Sequence, residues 1–277
     1  MRLTVPKIIK KKRKKEKITM ITSYDAAFAK LVDKSEIDMI LVGDSLGMVI
    51  QGKENTLSVT LDEMIYHTKI VVNNTSHPLI VADMPFMSYQ ISPEDALKNA
   101  GRIIKETGAQ AIKLEGGFNM IDTIKKITSS SIPVMGHLGL LPQSINQLGR
   151  YKLQGKRSSK AQKMIDAAIA LEEAGVFSIA LEAIPSELAQ KITDAVSIPT
   201  IGIGAGNSTD GQVLVIYDML GMDSDFNPSF LKKYLNLDEL IVNALKNYKT
   251  DVENSSFPAE EHSFHKEYKK DLNIYSS

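Results

Sequence analysis

Residues 39–45 read Met-Ile-Leu-Val-Gly-Asp-Ser, a short apolar run that ends in the carboxylate of Asp44. Three further apolar runs end in the same way: Leu79-Ile-Val-Ala-Asp83, Ala111-Ile-Lys-Leu-Glu115 and Ser178-Ile-Ala-Leu-Glu182. If these runs are neighbouring parallel strands, their carboxyl ends meet at one edge of a sheet or barrel. Four carboxylates at one edge repel one another unless a cation lies among them. The pattern therefore predicts a divalent-metal site with one carboxylate left for proton transfer.

Short apolar, β-branched runs recur along the chain, and segments long enough for a helix separate most of them. The runs cover residues 18–23, 39–43, 79–82, 111–114, 133–136, 178–181, 200–203 and 213–216. Segments 93–107 and 160–174 place Ala, Leu and Ile at helical spacing. The alternation indicates a parallel sheet with right-handed crossovers, and eight strands favour a closed barrel over an open doubly wound sheet. Between the last two strands, residues 204–212 leave room only for a short helix.

The chain has 277 residues, which is enough for one large core. We predict a single (β/α)8 catalytic domain over residues 1–250, with an N-terminal lead-in helix. Residues 231–245 have a helical pattern. A C-terminal extension over residues 251–277 is largely polar, and we expect it to lie over the surface or to be partly disordered.

The charges of the chain cancel, with 33 basic and 33 acidic side chains, so the net charge favours neither a nucleic-acid nor a membrane partner. The basic run at residues 7–17 favours a solvated lead-in helix over a nucleic-acid patch, because Ile8 and Ile9 offer an apolar edge and no aromatic residue is interspersed. No run approaches the ~20 apolar residues of a membrane span. The absence of cysteine excludes disulfides and thiol nucleophiles. We expect a cytoplasmic protein.

Asp44 and Asp83 are the strongest candidates for metal ligands. An isolated Asp at a strand end is more often a structural cap, but the recurrence of the pattern favours a metal site. Magnesium prefers oxygen ligands and is usually held by one or two carboxylates together with water and substrate oxygens. Glu115 would either bind the metal directly or hold a metal-bound water.

Three more residues at the same edge are candidates for work on a substrate. Lys113 faces the same side of its strand as Glu115, and it would either neutralise a bound carboxylate or pair with Glu115. His137 is either a core histidine or a hydrogen-bonding partner of the substrate. Glu182 has apolar residues on both sides, which predicts partial desolvation and a pKa raised toward that of a general base. The alternative for Glu182 is an ion pair with a basic neighbour.

The motifs, taken together and in order, resemble those of the ketopantoate hydroxymethyltransferase family. They are Gly43–Met48, Ala82–Phe86, Ile112–Gly117, Gly136–Leu140, Pro142–Ser144, Leu181–Glu182 and Ile201–Gly206, followed by a C-terminal signature at Glu260–His265. The resemblance runs from about Lys17 to His265. Residues 266–277 extend past it and inherit no role.

The resemblance implies a TIM barrel of the phosphoenolpyruvate/pyruvate superfamily and a transferase that binds one magnesium ion per subunit. It implies the transfer of a hydroxymethyl group from 5,10-methylenetetrahydrofolate to 3-methyl-2-oxobutanoate, giving 2-dehydropantoate in pantothenate biosynthesis. It also implies a homodecamer made of two stacked pentamers.

Site residues follow from the resemblance motif by motif. Asp44, Asp83 and Glu115 would form the metal site. The oxo acid would contact Asp44, Ser45, Asp83, Lys113 and His137. Glu182 would be the catalytic proton acceptor at C3. Magnesium would stabilise the enolate that forms when this proton leaves, and Lys113 would offset the developing charge.

Two other functions remain open on the sequence. One is a carbon–carbon lyase or a phosphonomutase of the same superfamily, although such lyases use a cysteine-bearing loop and this chain has no cysteine. The other is a non-catalytic barrel that binds a small acid or serves as a scaffold. The joint presence of the strand-end carboxylates and Lys113 disfavours that second alternative.

Overall fold

Eight parallel strands close into a barrel in sequence order, with the last strand paired to the first. The structure is a computed structural model, and it describes residues 2–265. The strands are β1 Ile18–Thr22, β2 Met39–Val42, β3 Leu79–Asp83, β4 Ala111–Lys113, β5 Val134–Gly139, β6 Ser178–Glu182, β7 Thr200–Ile203 and β8 Gly211–Leu214. The predicted closed (β/α)8 barrel is confirmed.

Helices surround the barrel and connect most of the strands. They are α1 Val5–Arg13, α2 Ala26–Lys34, α3 Leu46–Val49, α4 Leu61–Asn73, α5 Pro93–Thr107, α6 Ile121–Ser129, α7 Ile145–Leu148, α8 Ser158–Glu173, α9 Ser186–Ala195, α10 Ile216–Met219 and α11 Leu237–Glu253, with short 3-10 turns at Phe118–Met120, Pro142–Ser144 and Glu260–His262. Among the helices of residues 2–265, none is both long and apolar enough to cross a membrane.

Strand alternation divides the apolar residues into two cores. In β2, Met39 and Leu41 belong to the cluster inside the barrel, whereas Ile40 and Val42 pack in the cluster shared with the surrounding helices. Successive side chains of a strand point to opposite faces, so each strand contributes to both cores. The same alternation decides which polar residues reach the barrel mouth.

The predicted lead-in helix is confirmed as α1, and it lies against the amino-terminal end of the barrel. Ile8 is fully buried in the inner cluster. Lys11 Nζ lies 2.5 Å from Asp38 Oδ1, and Lys12 Nζ lies 3.0 Å from Asp210 Oδ2. Two lysines of the basic run therefore hold this helix against the barrel.

The last strand begins two residues earlier than the predicted run 213–216. Asp210 accepts hydrogen bonds from Thr200 N and Thr200 Oγ1, at 2.8 and 3.1 Å, and this places Gly211 beside Ile18 of β1. Ile216 already begins α10. The segment before β8 was expected to have room only for a short helix, and residues 204–210 form bends and loop without a helix.

The C-terminal helix also differs from its predicted position at residues 231–245. It is α11, which begins six residues later and continues to Glu253, so the predicted domain boundary at residue 250 falls inside a helix. Residues 254–265 form turns around a single 3-10 turn. The rest of the predicted extension, residues 266–277, lies outside the described residues.

Candidate active site

The carboxyl ends of β2 to β6 bring the predicted residues together at one mouth of the barrel. Asp44 follows β2, Asp83 ends β3, and Glu182 ends β6. Glu115 follows β4 and His137 lies in β5, and a backbone bridge joins Gly116 to His137. Because parallel strands end on the same side, residues up to 138 positions apart in sequence share one site.

Lys113 forms a buried ion pair with Asp83 and does not pair with Glu115. Its Nζ donates to Asp83 Oδ1, and both side chains are almost completely buried. Burial lowers the pKa of Lys113, but the carboxylates of Asp83, Glu115 and Asp44 outweigh it and raise the pKa above its usual range. The second oxygen of Asp83 accepts from Asp44 N at 3.1 Å. Asp83 therefore connects three strands of the rim.

A buried amide, Gln143, connects the carboxylates of Asp44 and Glu115. Its Nε2 donates to Asp44 Oδ2 at 2.9 Å and to Met84 O at 3.0 Å. Its backbone N donates to Glu115 Oε2 at 3.1 Å. Gln143 lies in the 3-10 turn after β5, so one residue of that loop orients side chains from β2 and β4.

Tyr89 holds this amide in place. The Tyr89 hydroxyl donates to Gln143 Oε1 at 2.6 Å and accepts from Glu115 N at 3.1 Å. The ring is buried, and burial together with the charge of Glu115 raises the pKa of Tyr89 well above its usual value. The hydroxyl therefore stays protonated and can donate at neutral pH.

His137 lies between two carboxylates. Its Nδ1 is 3.5 Å from Glu115 Oε1, and its Nε2 is 3.2 Å from Glu182 Oε2. Neither contact has the angles of a hydrogen bond, although both ring nitrogens are buried. Burial lowers the pKa of His137, but Glu115 and Glu182 outweigh it and raise the pKa to about 9. The imidazole is therefore cationic at neutral pH and has N–H groups available to a ligand.

Glu182 is the least enclosed of the four carboxylates, since 23% of its side chain is exposed. The side chain of Glu182 is therefore only partly shielded from solvent. Its basic neighbour is His137, so the ion pair that the sequence left open as an alternative has a partner at this position. Gly139 makes the close approach of β5 and β6 possible here. Its φ is +102°, and an added Cβ would lie 2.1 Å from Glu182 O. Only glycine therefore fits beside the backbone of Glu182.

Ser45 follows Asp44 and is half-buried at the start of α3. Its hydroxyl lies 2.8 Å from the hydroxyl of Tyr24, which is fully buried. His67 Nδ1 in turn contacts Tyr24 O at 2.7 Å. Ser45 is therefore held at the rim from the side of β1.

The charges of this rim fit a divalent cation. Burial and the carboxylates of Asp83 and Glu115 raise the pKa of Asp44 to about 8, because they disfavour its ionised form. Carboxylate oxygens are the ligands that magnesium prefers, and one or two suffice when water and substrate complete the shell. Asp44 and Asp83 would provide two such carboxylates.

Both carboxylate oxygens of Glu115 have neighbours within the protein. One of its oxygens accepts from Gln143 N, and the other faces His137. Within residues 2–265, no three His, Cys, Asp or Glu side chains form a ready-made metal cluster. The set of Asp44, Asp83 and Glu115 is therefore not present as three preformed ligands.

Sequence reasoning assigned no role to Gln143, Tyr89 or Tyr24. Gln143 belongs to the motif Pro142–Ser144, but the motif alone does not indicate which residues its side chain contacts. Tyr89 and Tyr24 lie in loops after β3 and β1, where no periodic pattern indicates whether a side chain points inward. Their contacts depend on how distant loops meet.

The sequence matches a family described as ketopantoate hydroxymethyltransferase over residues 2–260. A relative from Syntrophomonas wolfei, named 3-methyl-2-oxobutanoate hydroxymethyltransferase, is 56% identical over 263 residues, which cover 95% of each chain. A protein of the same name from Clostridioides difficile is 53% identical over 264 residues, which cover 95% of this chain and 96% of the relative. Both similarities extend over nearly the full length.

The fold is also similar to that of 2,3-dimethylmalate lyase, which is described as a member of the PEP mutase/isocitrate lyase superfamily. The TM-score is 0.55 at 13% sequence identity, and the match covers 91% of this chain and 99% of the lyase. At this identity the likeness concerns the fold alone.

We expect Tyr89→Phe to weaken both the stability of the fold and the order of the rim. The change leaves Glu115 N without its buried acceptor, which costs about 1–3 kcal/mol for a buried unsatisfied group. It also removes one of the two donors to Gln143 Oε1, so that only Gln90 Nε2 remains. Denaturant unfolding measures the loss, and Tyr66→Phe, at an exposed position, is the matched control. Equal stability of the two variants would contradict the contacts of Tyr89.

Proposed function

Because this chain belongs to the ketopantoate hydroxymethyltransferase family and is a transferase, we propose that it carries out the first committed step of pantothenate biosynthesis. In this proposal 3-methyl-2-oxobutanoate receives a hydroxymethyl group from 5,10-methylenetetrahydrofolate in the cytoplasm, giving 2-dehydropantoate. The observation that carries the proposal is the convergence of Asp44, Asp83, Lys113, His137 and Glu182 at one barrel mouth, in a chain 56% identical to a relative with that name.

Asp44 and Asp83 would hold one magnesium ion, and Glu115 would hold a water of its shell. The ion would supply Lewis-acid stabilisation of the negative charge that develops on the oxo acid when its C3 proton leaves. The support for these ligands is the raised pKa of Asp44 and the two-carboxylate donor set, both of which match an oxygen-seeking cation.

Positive groups of the rim would bind and orient the oxo acid. Lys113 and His137 are cationic and buried, and His137 has two ring nitrogens without hydrogen-bond geometry toward the protein. Buried N–H groups of this kind require a partner, and a carboxylate or keto oxygen provides one. Ser45 would donate or accept one further hydrogen bond.

Glu182 would accept the proton from C3. Its partial exposure leaves one side of the carboxylate open to the mouth of the barrel, while His137 fixes the other side at 3.2 Å. A positioned carboxylate base contributes typically 10²- to 10⁴-fold to the rate of proton transfer. The carbon nucleophile formed in this way would attack the methylene carried by the folate, and hydrolysis would release the product and tetrahydrofolate.

We also propose that the protein assembles as a homo-oligomer, with the decamer as the expected state. The support is α11, which has no buried residue when residues 2–265 of a single chain are considered. Its exposed apolar side chains follow helical spacing along one face, at Leu240, Ile241, Leu245, Tyr248 and Val252. A second copy that covers this stripe would bury it. Light scattering of the intact protein should give the mass of an assembly, and a stable monomer would refute this proposal.

The variant Glu182→Gln should bind magnesium and 3-methyl-2-oxobutanoate normally but lose exchange of the C3 hydrogen with solvent deuterium. The amide preserves the shape of the side chain and cannot accept the proton. Proton NMR of the oxo acid measures the exchange, with Glu187→Gln, at an exposed position of α9, as the control. Undiminished exchange in Glu182→Gln would remove this residue from the role of base.

The double variant Asp44→Ala, Asp83→Ala should abolish magnesium-dependent binding of 3-methyl-2-oxobutanoate, because both proposed carboxylate ligands are gone. Isothermal titration calorimetry with and without magnesium measures the effect. Asp122→Ala, at an exposed site on α6, should keep the affinity of the unaltered protein. A double variant whose affinity still depends on magnesium would show that other residues hold the ion.

A further inference from the structure

The connection from β5 to α8 includes an irregular strap, residues 150–154, which is joined to two sides of the barrel mouth. At one end of the strap, Gln154 N donates to Ala183 O at 2.8 Å, and Ala183 is the residue that follows β6. At the other end, the hydroxyl of Tyr151 lies 3.9 Å from Sδ of Met48, which belongs to α3 after β2. The strap therefore links the ends of β6 and β2.

This strap crosses the opening of the barrel. Strands β2 and β6 are four places apart in a closed barrel of eight strands, so they stand on opposite sides of the mouth. A path along the rim would follow four strand spacings, about 19 Å in all. The backbone from Tyr151 to Gln154 spans at most about 11 Å. The side chain of Tyr151 therefore projects over the opening to reach Met48.

The charges around Tyr151 agree with this position. Partial burial and the carboxylates of Glu182, Asp44 and Glu115 raise the pKa of Tyr151 above its usual value. These carboxylates lie at the ends of β6, β2 and β4, so the ring is influenced from both sides of the mouth. The side chain of Tyr151 contacts a thioether, which is only a weak acceptor, and the residue is 46% exposed. Part of its ring is thus free to contact a ligand.

A glycine seats the strap on the β6 side of the mouth. Gly155 has a φ of +73°, and an added Cβ would lie 2.5 Å from Cδ2 of Leu188 in α9. A larger residue would strain the backbone and push the strap away from the barrel. Together with the hydrogen bond of Gln154, this close approach fixes the end of the strap next to Glu182.

The proposed substrate would place its apolar end under this strap. Its carboxylate and keto oxygens would bind the ion and the buried cations of Lys113 and His137. Because C3 must come within reach of Glu182, its two methyl groups would lie beside the end of β6. The rim side chains described above are charged or polar, whereas Tyr151 and Met48 present apolar surface over the mouth. Methyl groups that leave water against this surface favour binding.

We infer that Tyr151 is a specificity-determining residue of this site, whose ring, supported by Met48, covers the two methyl groups of the branched oxo acid. The inference rests on the proposed function and adds a contact that selects the acid by its branched end. The strap covers only the line from β6 to β2. Ile203 and Gly204, at the end of β7, are partly exposed, which leaves that side of the mouth open to the one-carbon donor.

The test compares the affinities for 3-methyl-2-oxobutanoate and for 2-oxobutanoate, which has one methyl group fewer. Titration calorimetry with magnesium should show that the unaltered protein binds the branched acid about tenfold or more tightly, as one methylene group in an apolar pocket does. Tyr151→Ala should reduce this preference to about twofold or less. Tyr151→Phe keeps the ring and should retain the preference. The matched control is Lys152→Ala, at an exposed position of the same strap, which should also retain it.

A preference that survives in Tyr151→Ala overturns the inference, even if both affinities fall together, because the ring would then act on the end that the two acids share. Equal binding of both acids by the unaltered protein also overturns it. Loss of the preference in Tyr151→Phe would assign the effect to the hydroxyl and contradict an apolar contact. Exchange of the C3 hydrogen in the unaltered protein, measured without folate, tests the proposed function separately. Its absence would refute that function, whereas the ratio of affinities decides the role of Tyr151.

Discussion

Uncompensated buried charge is the constraint on which the rest of the site depends. Four carboxylates, one lysine and one histidine share the mouth of the barrel, so if all of them were ionised the negative charges would exceed the positive ones by two. Ion pairing with Lys113 satisfies Asp83, but Asp44 keeps a raised pKa. A buried charge is tolerated only when it is paired or binds a cation. The proposed divalent ion would relieve the repulsion that otherwise destabilises this part of the fold.

A hydrogen-bonded unit that comes from the loops keeps this charge in place. Gln143 reaches Asp44 with its side chain and Glu115 with its backbone, and Tyr89 fixes Gln143 in turn. Without such contacts, mutually repelling carboxylates would turn away from one another toward solvent. The barrel therefore supplies the positions of the acids, whereas the loops after β3 and β5 supply their orientation.

Strand periodicity was sufficient to predict the barrel and the residues at its mouth. Runs such as Leu79–Ala82 have the length and composition of buried parallel strands, and a polar residue at the end of each must lie at the rim. The same pattern failed at β8, where an ion-paired aspartate and a glycine set the start of the strand instead of the apolar run. Strand periodicity could not predict the hydrogen bonds of Tyr89 and Gln143, because contacts between loops leave no periodic pattern in the sequence. Nor could it fix the start of α11, whose apolar stripe stays largely exposed among residues 2–265.

The central claim is that this rim removes the C3 proton of 3-methyl-2-oxobutanoate with the help of a divalent cation. Proton NMR of the oxo acid in deuterated water, with the unaltered protein and no folate, tests it most directly. The account predicts that the methyl doublet collapses as C3 takes up deuterium, and that chelation of magnesium stops the exchange. A protein that binds the oxo acid and magnesium but leaves the doublet intact would contradict it.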